Sequence, residues 1–207
     1  IQFLTTLEID GLLHFDRQLG AWAWDVNRIR DCGITENVAE LMASRLLRFS
    51  GLELEVIKQL ACFGTGATAE MLSAALGAPK ANIDAALLGF VSTNLLRRHE
   101  RGYAFAHDGV QDAAYALIPA HERGAVHLQA GQLLRQAAEG KDLEEAIFGI
   151  VNQLNRGAAL VASPEERLQL AELNLIAGKR AKAATAYASA ISYLAMGCNL
   201  LTADGWQ

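Results

Sequence analysis

Few residues in this sequence have the types and spacing that chemistry needs. The histidines are His14, His99, His107, His121 and His127. None pairs with another at the i,i+4 spacing that lets one helix face hold zinc, and no HExxH occurs, so structural or surface roles are expected for them. Cys32, Cys62 and Cys198 are odd in number, widely spaced and without a CxxC, which gives neither a disulfide framework nor a metal site and suits a reducing compartment. No GxSxG elbow supplies a nucleophilic serine. A P-loop needs GxxxxGKS or GxxxxGKT, so that backbone amides and a lysine can cradle phosphates. Gly140-Lys141 runs into Asp142 and Gly178-Lys179 into Arg180, neither with a glycine five positions earlier, while Gly64-Thr65-Gly66 reads as a loop. The chain therefore lacks an ATP-hydrolysing centre and is not expected to be an enzyme by itself.

Two polar features remain. Arg97, Arg98 and Arg101 cluster around a predicted hairpin turn. They form a solvated hairpin face, or else they meet nucleotide phosphates or an acidic partner domain. His107 and Asp108 stand just after that hairpin, at a predicted helix start. On residue type alone, Asp108 with Gln111 makes an N-terminal capping pair and His107 packs at the helix start.

The elements that would position these residues are mostly helical. Residues 1–13 read as the end of an amphipathic helix with Phe3, Leu4, Leu7 and Leu12 apolar. The period then changes to two, with Phe15, Trp22 and Trp24 alternating around Arg17-Gln18-Leu19-Gly20, which predicts a β-hairpin. Trp22 and Trp24 are expected to pack against the first helix or the following domain. A short helix near 25–31 comes next. Val38, Leu41, Met42, Leu46 and Phe49 then share a helical face, and Ser50 with Glu53 suggests a capping box for the helix bearing Val56, Ile57, Leu60 and Phe63. Thr68 is an N-cap for a short helix that Gly77 closes. A longer helix carries Ile83, Leu87, Phe90 and Val91, and a hairpin over 95–105 follows. Three helices and a two-stranded ribbon make a winged helix, placed at 36–106 with 69–76 as its recognition helix.

The remainder, 107–207, reads as a helical arm. Pro119 starts one helix, Asp142 and Glu145 cap another with Leu143, Ile147, Ile150, Val151 and Leu154 at 3.6 spacing, and Ser163-Pro164-Glu165-Glu166 opens a third. Gly178, Ala183, Tyr187 and Ala190 match small and aromatic steps of a tetratricopeptide repeat. A partial superhelix leaves an uncapped apolar end, which predicts self-association.

The bulk numbers agree. Of 207 residues, 52% are hydrophobic and only 3 are proline, which favours a mainly α fold with an ample core. No apolar run reaches membrane-span length, and the first residues lack the pattern of a signal peptide, so a cytoplasmic location is expected. The net charge is −5, and within 36–106 seven acidic side chains balance seven basic ones. Residues 69–76 offer no Arg, Lys, Asn or Gln to read base edges, so DNA is an unlikely partner.

Longer motifs carry a resemblance. Phe3-Leu4-Thr5-Thr6-Leu7 with Glu8-Ile9-Asp10-Gly11-Leu12-Leu13, and Trp22-Ala23-Trp24-Asp25, open it. Phe105-Ala106-His107-Asp108-Gly109-Val110-Gln111-Asp112-Ala113-Ala114-Tyr115 with Leu117-Ile118-Pro119 is its most specific part. Ile150-Val151-Asn152-Gln153-Leu154-Asn155-Arg156-Gly157 and the stretch from Ala171-Glu172-Leu173-Asn174 to Tyr193-Leu194 extend it. Together they resemble the segment after the ATPase core of large bacterial multidomain kinases. Those carry a Ser/Thr kinase domain, an AAA-like ATPase of the STAND class (signal-transduction ATPases with numerous domains), a GAF sensor and a histidine kinase.

The resemblance implies that 1–35 is the remnant of an ATPase lid with its hairpin, and that the winged helix folds back over the nucleotide site. It implies that His107 donates a hydrogen bond to the β-phosphate of ADP, helped by helix N-terminal amides, and that Asp108 orients it. Ala106 precedes them where the family carries a bulkier residue. The cofactor implied is ATP or ADP in the full-length protein, with none held tightly by this segment. The partners implied are the upstream ATPase core, the parent's kinase, GAF and histidine kinase domains, and proteins on the helical arm. The competing expectation is an interaction module without a nucleotide role.

Overall fold

A computed structural model of the chain describes residues 4, 7–8, 11–17, 19–31, 43, 45–64, 66–100, 102–138 and 143–202. Phe3, Cys32, Val38, Leu41, Met42, Arg101 and Asp142, each used in the sequence reading, lie outside these residues. The fold is mainly α, with nine α-helices among the described residues and two small antiparallel hairpins.

The first hairpin pairs β1 (Leu13–Asp16) with β2 (Ala21–Trp24), Leu13 opposite Trp24 and Phe15 opposite Trp22. That register puts all four side chains on one face. The expected burial of the tryptophans is not found: Trp22 is 48% and Trp24 58% exposed, and Trp22 instead meets Phe15 edge-on at 5.6 Å between ring centroids. The reason is the size of the local core. Among the described residues, Leu7 and Leu12 pack with Leu13 and with Ile29 of α1 (Val26–Asp31), too few side chains to cover two indoles.

A tighter unit follows. Helices α2 (Gly51–Phe63), α3 (Ala69–Leu76) and α4 (Lys80–Ser92) precede the second hairpin, β3 (Leu96–His99) with β4 (Gly102–Phe105). Ala67, between α2 and α3, bridges to Tyr103 through two backbone bonds of 3.0 and 2.8 Å, which seats the hairpin on the helices. Gly102 permits this approach: its φ is +125°, and a Cβ there would overlap the Ala67 carbonyl oxygen. Val56, Ile57, Leu60, Phe63, Leu72, Ile83, Leu87, Phe90, Leu95 and Leu96 form the core, the 3.6 spacing of each helix turned inward.

Caps explain where the helices stop and start. Thr68 Oγ1 accepts from the Met71 amide at 3.2 Å, and Gly77 closes α3 in the left-handed region. Ser50 makes no side-chain cap bond, so the expected capping box is not formed; Gly51, at φ +55°, turns the chain there instead.

This core does not end at the hairpin. It takes in Val110, Ala113 and Ala114 of α5 (Asp108–Ala116), then Ile118, then Ala130 of α6 (Arg123–Ala137). Helix α6 starts four residues after Pro119, because residues 119–122 form a turn in which the Glu122 amide bonds Pro119 O at 2.9 Å. Helix α6 also serves a second core. Ile147, Ile150, Val151 and Leu154 of α7 (Leu143–Arg156) pack there with Val161, and with Leu170, Leu173 and Ala177 of α8 (Pro164–Ala183). Leu134 of α6 packs against both cores.

Ser163 caps α8 by accepting from the Glu166 amide at 3.4 Å. A short 3-10 turn, Ala158–Leu160, links α7 to α8. Between α7 and α8, Asn155 and Asn174 exchange amide bonds of 2.9 Å in each direction. Helix α9 (Tyr187–Thr202) folds back on α8 where Gly178 faces Leu194; a Cβ at Gly178 would lie 2.7 Å from Leu194 Cγ. Of the four expected repeat-like steps, Gly178 and Ala190 are buried at this crossing, while Ala183 and Tyr187 face solvent. Leu168, Leu175, Ile191 and Leu201 remain exposed on the α8–α9 pair. No helix among the described residues is long and apolar enough to cross a membrane.

Candidate functional site

The second hairpin delivers His107 to the start of α5. Ala106 N bonds Leu95 O at 3.0 Å, which ends the ribbon and fixes the exit direction. His107 then sits in extended backbone (φ −150°, ψ 145°) as the N-cap residue, and its carbonyl accepts from the Val110 amide at 3.0 Å. Its imidazole does not cap the helix. The N-cap is therefore His107, one residue before the expected Asp108. Asp108 becomes the first helical residue, where its negative charge favours the positive end of the helix. Both side chains are exposed, and among the described residues neither has a hydrogen-bond partner. The expected pairing of Asp108 with Gln111 is likewise absent, because Gln111 Nε2 reaches across to Ala61 O of α2 at 3.1 Å.

The helix that carries this exposed turn is held firmly. Val110, Ala113 and Ala114 are buried, and the Gln111 bond ties α5 to α2. A free imidazole beside first-turn amides on an anchored helix can donate to an oxyanion with little reorganisation.

Arg97 lies opposite Ala104 and Arg98 opposite Tyr103. Successive strand residues point to opposite faces, so the two guanidinium groups leave opposite sides of the ribbon and do not form one patch. Both are exposed. Arg101 lies outside the described residues.

A buried polar chain joins three helices, and sequence reasoning did not single it out. His127 of α6 is 2% exposed. Its Nδ1 donates to Gln153 Oε1 of α7 at 2.6 Å, which leaves Nε2 to accept from the Tyr115 hydroxyl of α5 at 2.9 Å. Arg123 lies over the Tyr115 ring, 4.8 Å from its centroid, and its Nε donates to Ile118 O at 3.0 Å. Burial holds the His127 pKa below the usual histidine value; the Gln153 bond opposes this, and the charges of Arg156 and Arg123 add to it. The imidazole is thus kept neutral in one tautomer. The only sequence signal was helical: His127 lies three and four residues before Ala130 and Gly131, which are also buried.

No known protein family matches this sequence, and no solved structure matches it. The chain is similar to "Hybrid signal transduction histidine kinase G" of Dictyostelium discoideum, 24% identical over an alignment 265 positions long that covers 100% of this chain. It spans only 8% of that protein's length. A signalling context is supported by this similarity.

Proposed function

We propose that this chain is a regulatory segment of a larger cytoplasmic signalling ATPase: a nucleotide-sensing clamp followed by an interaction arm. In this reading residues 36–106 are a winged helix, with Ala67 completing the ribbon edge, and 107–207 are a helical arm of tetratricopeptide-like hairpins. ADP on the ATPase core of the parent protein holds the clamp through His107, and exchange for ATP releases it. This is a two-state switch biased by nucleotide. The observation that carries the reading is the state of His107: exposed and unengaged, at the first turn of a helix whose other face is locked into the core. The similarity of the whole chain to a small part of a hybrid histidine kinase supports the signalling context.

The exposed apolar residues on α8 and α9, with Trp22 and Trp24, favour a second reading, in which the chain only docks partners. DNA binding gains little from the fold. The expected recognition helix, 69–76, is α3; α4 lies between it and the hairpin, and the Lys80 of α4 already pairs with Glu70 and Asp84 at 3.2 Å each. The other exposed residues of α4 are Ala81, Asn82, Ala85, Leu88, Gly89 and Ser92, of which only Asn82 and Ser92 carry side chains that can read base edges.

The test is the nucleotide content of the protein extended N-terminally through the ATPase core, with and without His107→Ala. ADP that co-purifies with the wild type and is lost from the variant supports the clamp. ADP retained equally by both removes His107 from the nucleotide site. A folded sample free of nucleotide in both forms leaves the docking reading in front.

A further inference from the structure

A groove of about 510 Å³ opens where the α5–α6 turn, the start of α6 and the end of α7 meet. Among the described residues, Tyr115, His121, Arg123, His127, Arg156 and Leu160 line it, and no carboxylate does. That is notable in a chain of net charge −5. Glu122, beside Arg123 in sequence, is exposed, and its carboxylate lies 3.5 Å from His121 Nε2. We propose that this groove is a binding site for the phosphoryl end of a small molecule, gripped by Arg123 and Arg156 and floored by Tyr115 and His127.

The geometry is built rather than incidental. Gly157 lets the end of α7 close on the start of α6: a Cβ there would lie 2.6 Å from Gly124 O and 2.7 Å from Leu128 Cβ. That approach carries Arg156, in the last turn of α7, to the mouth where Arg123 begins α6. Arg123 is braced before any ligand arrives, through Ile118 O and the Tyr115 ring, so its terminal nitrogens are the ones left for an anion. Arg156 is exposed and has no acidic partner among the described residues. Two planar guanidinium groups suit the oxygens of a phosphate dianion better than a single carboxylate. The positive end of α6 adds to them. The apolar wall at Leu160 and the volume fit a ligand larger than a bare ion.

The site is distinct from His107. Tyr115 lies eight positions after His107 along α5, about 12 Å of helical rise. Its failure and that of the clamp are therefore separable.

The experiment titrates the 207-residue chain with pyrophosphate, inorganic phosphate, ADP and acetate, and follows the backbone amide shifts of Gly124 and Gly157. Saturable shifts with pyrophosphate are expected. Arg156→Gln is expected to weaken binding by about tenfold or more, the loss of one charge-assisted contact. Lys179→Gln, at an exposed cation of α8, should bind like wild type, and because Arg156 is exposed its variant should keep the wild-type thermal midpoint. Tighter binding of ADP than of inorganic phosphate supports a phosphorylated small molecule. Equal binding of the two supports free phosphate at the same groove. Absence of saturable shifts with any phosphate overturns the site, as does an Arg156→Gln protein that binds like wild type. Acetate binding as tightly as pyrophosphate overturns the preference for phosphoryl groups.

Discussion

Replacing Gln153 with leucine should destabilise the chain more than replacing Tyr115 with phenylalanine. Both changes remove one bond to His127, but in different surroundings. Gln153→Leu keeps similar volume and leaves the Nδ1–H of a 2% exposed imidazole without an acceptor. An unsatisfied buried donor costs about 1–3 kcal/mol. Tyr115→Phe removes a donor to Nε2, but Tyr115 is only half-buried and both rings border an open groove. Water can replace the hydroxyl there, so the cost should stay below about 1 kcal/mol. For a chain of this size 1 kcal/mol moves the thermal midpoint by about 2–4 °C, so Gln153→Leu should lower it by roughly 2–12 °C at pH 7.5. Acid sharpens the contrast. The folded state holds His127 neutral, whereas the unfolded chain binds a proton near the reference pKa of 6.5. Stability from this group is therefore complete above about pH 6.5 and falls as pH drops towards the lower folded value. The Gln153 bond raises that folded value, so Gln153→Leu should extend the loss to lower pH. Thermal melts by circular dichroism between about pH 7.5 and 4.5 measure both effects. A Tyr115→Phe cost equal to or above that of Gln153→Leu would refute the assignment of burial as the deciding term.

Three further outcomes are expected. Thr68→Ala should cost about 1 kcal/mol in urea unfolding, because it removes a cap bond, while Ser50→Ala should stay within about 0.5 kcal/mol, because its side chain caps nothing. Gly102→Ala should cost about 1–3 kcal/mol and speed hydrogen exchange at the Ala67 amide, since its φ of +125° and the Ala67 carbonyl leave no room for a Cβ; unchanged exchange would mean that the bridge does not seat the hairpin. In the folded chain at pH 8, a thiol reagent should modify exposed Cys198 and spare Cys62, whose burial pushes its thiol up to about 11; peptide mapping by mass spectrometry reads both sites.

The elements of this fold were legible where period and punctuation agree. Helix α7 and its inward Ile147, Ile150, Val151 and Leu154, the Thr68 and Ser163 caps, the Gly77 stop and both hairpins stand where the sequence puts them. Side-chain partners were less legible, because they depend on what tertiary packing brings near. Gln111 reads as a cap partner three residues after Asp108, yet Ala61 lies fifty residues away in sequence and takes its amide. Trp22 and Trp24 read as core by type, but burial needs a surface large enough to receive them, which the Leu7–Leu12 cluster does not offer among the described residues. His127 shows the same limit in reverse: only the meeting of α5, α6 and α7 turns an unremarkable helical histidine into the centre of a buried polar chain.

Helix α5 is where the proposed clamp and the arm must communicate. Its first turn presents His107, its middle belongs to the first core through Val110, Ala113 and Ala114, and its last turn holds Tyr115 against His127. From there Gln153 continues into α7, in the second core. A close-packed helix held on three sides cannot absorb a displacement at one end by local bending, because packed cores yield by switching arrangement rather than by deforming smoothly. A nucleotide contact at His107 that shifted α5 would thus strain two bonds of 2.9 and 2.6 Å at its far end. In the proposed switch, the Tyr115–His127–Gln153 chain is the mechanical link from clamp to arm. It would carry the signal without touching the nucleotide.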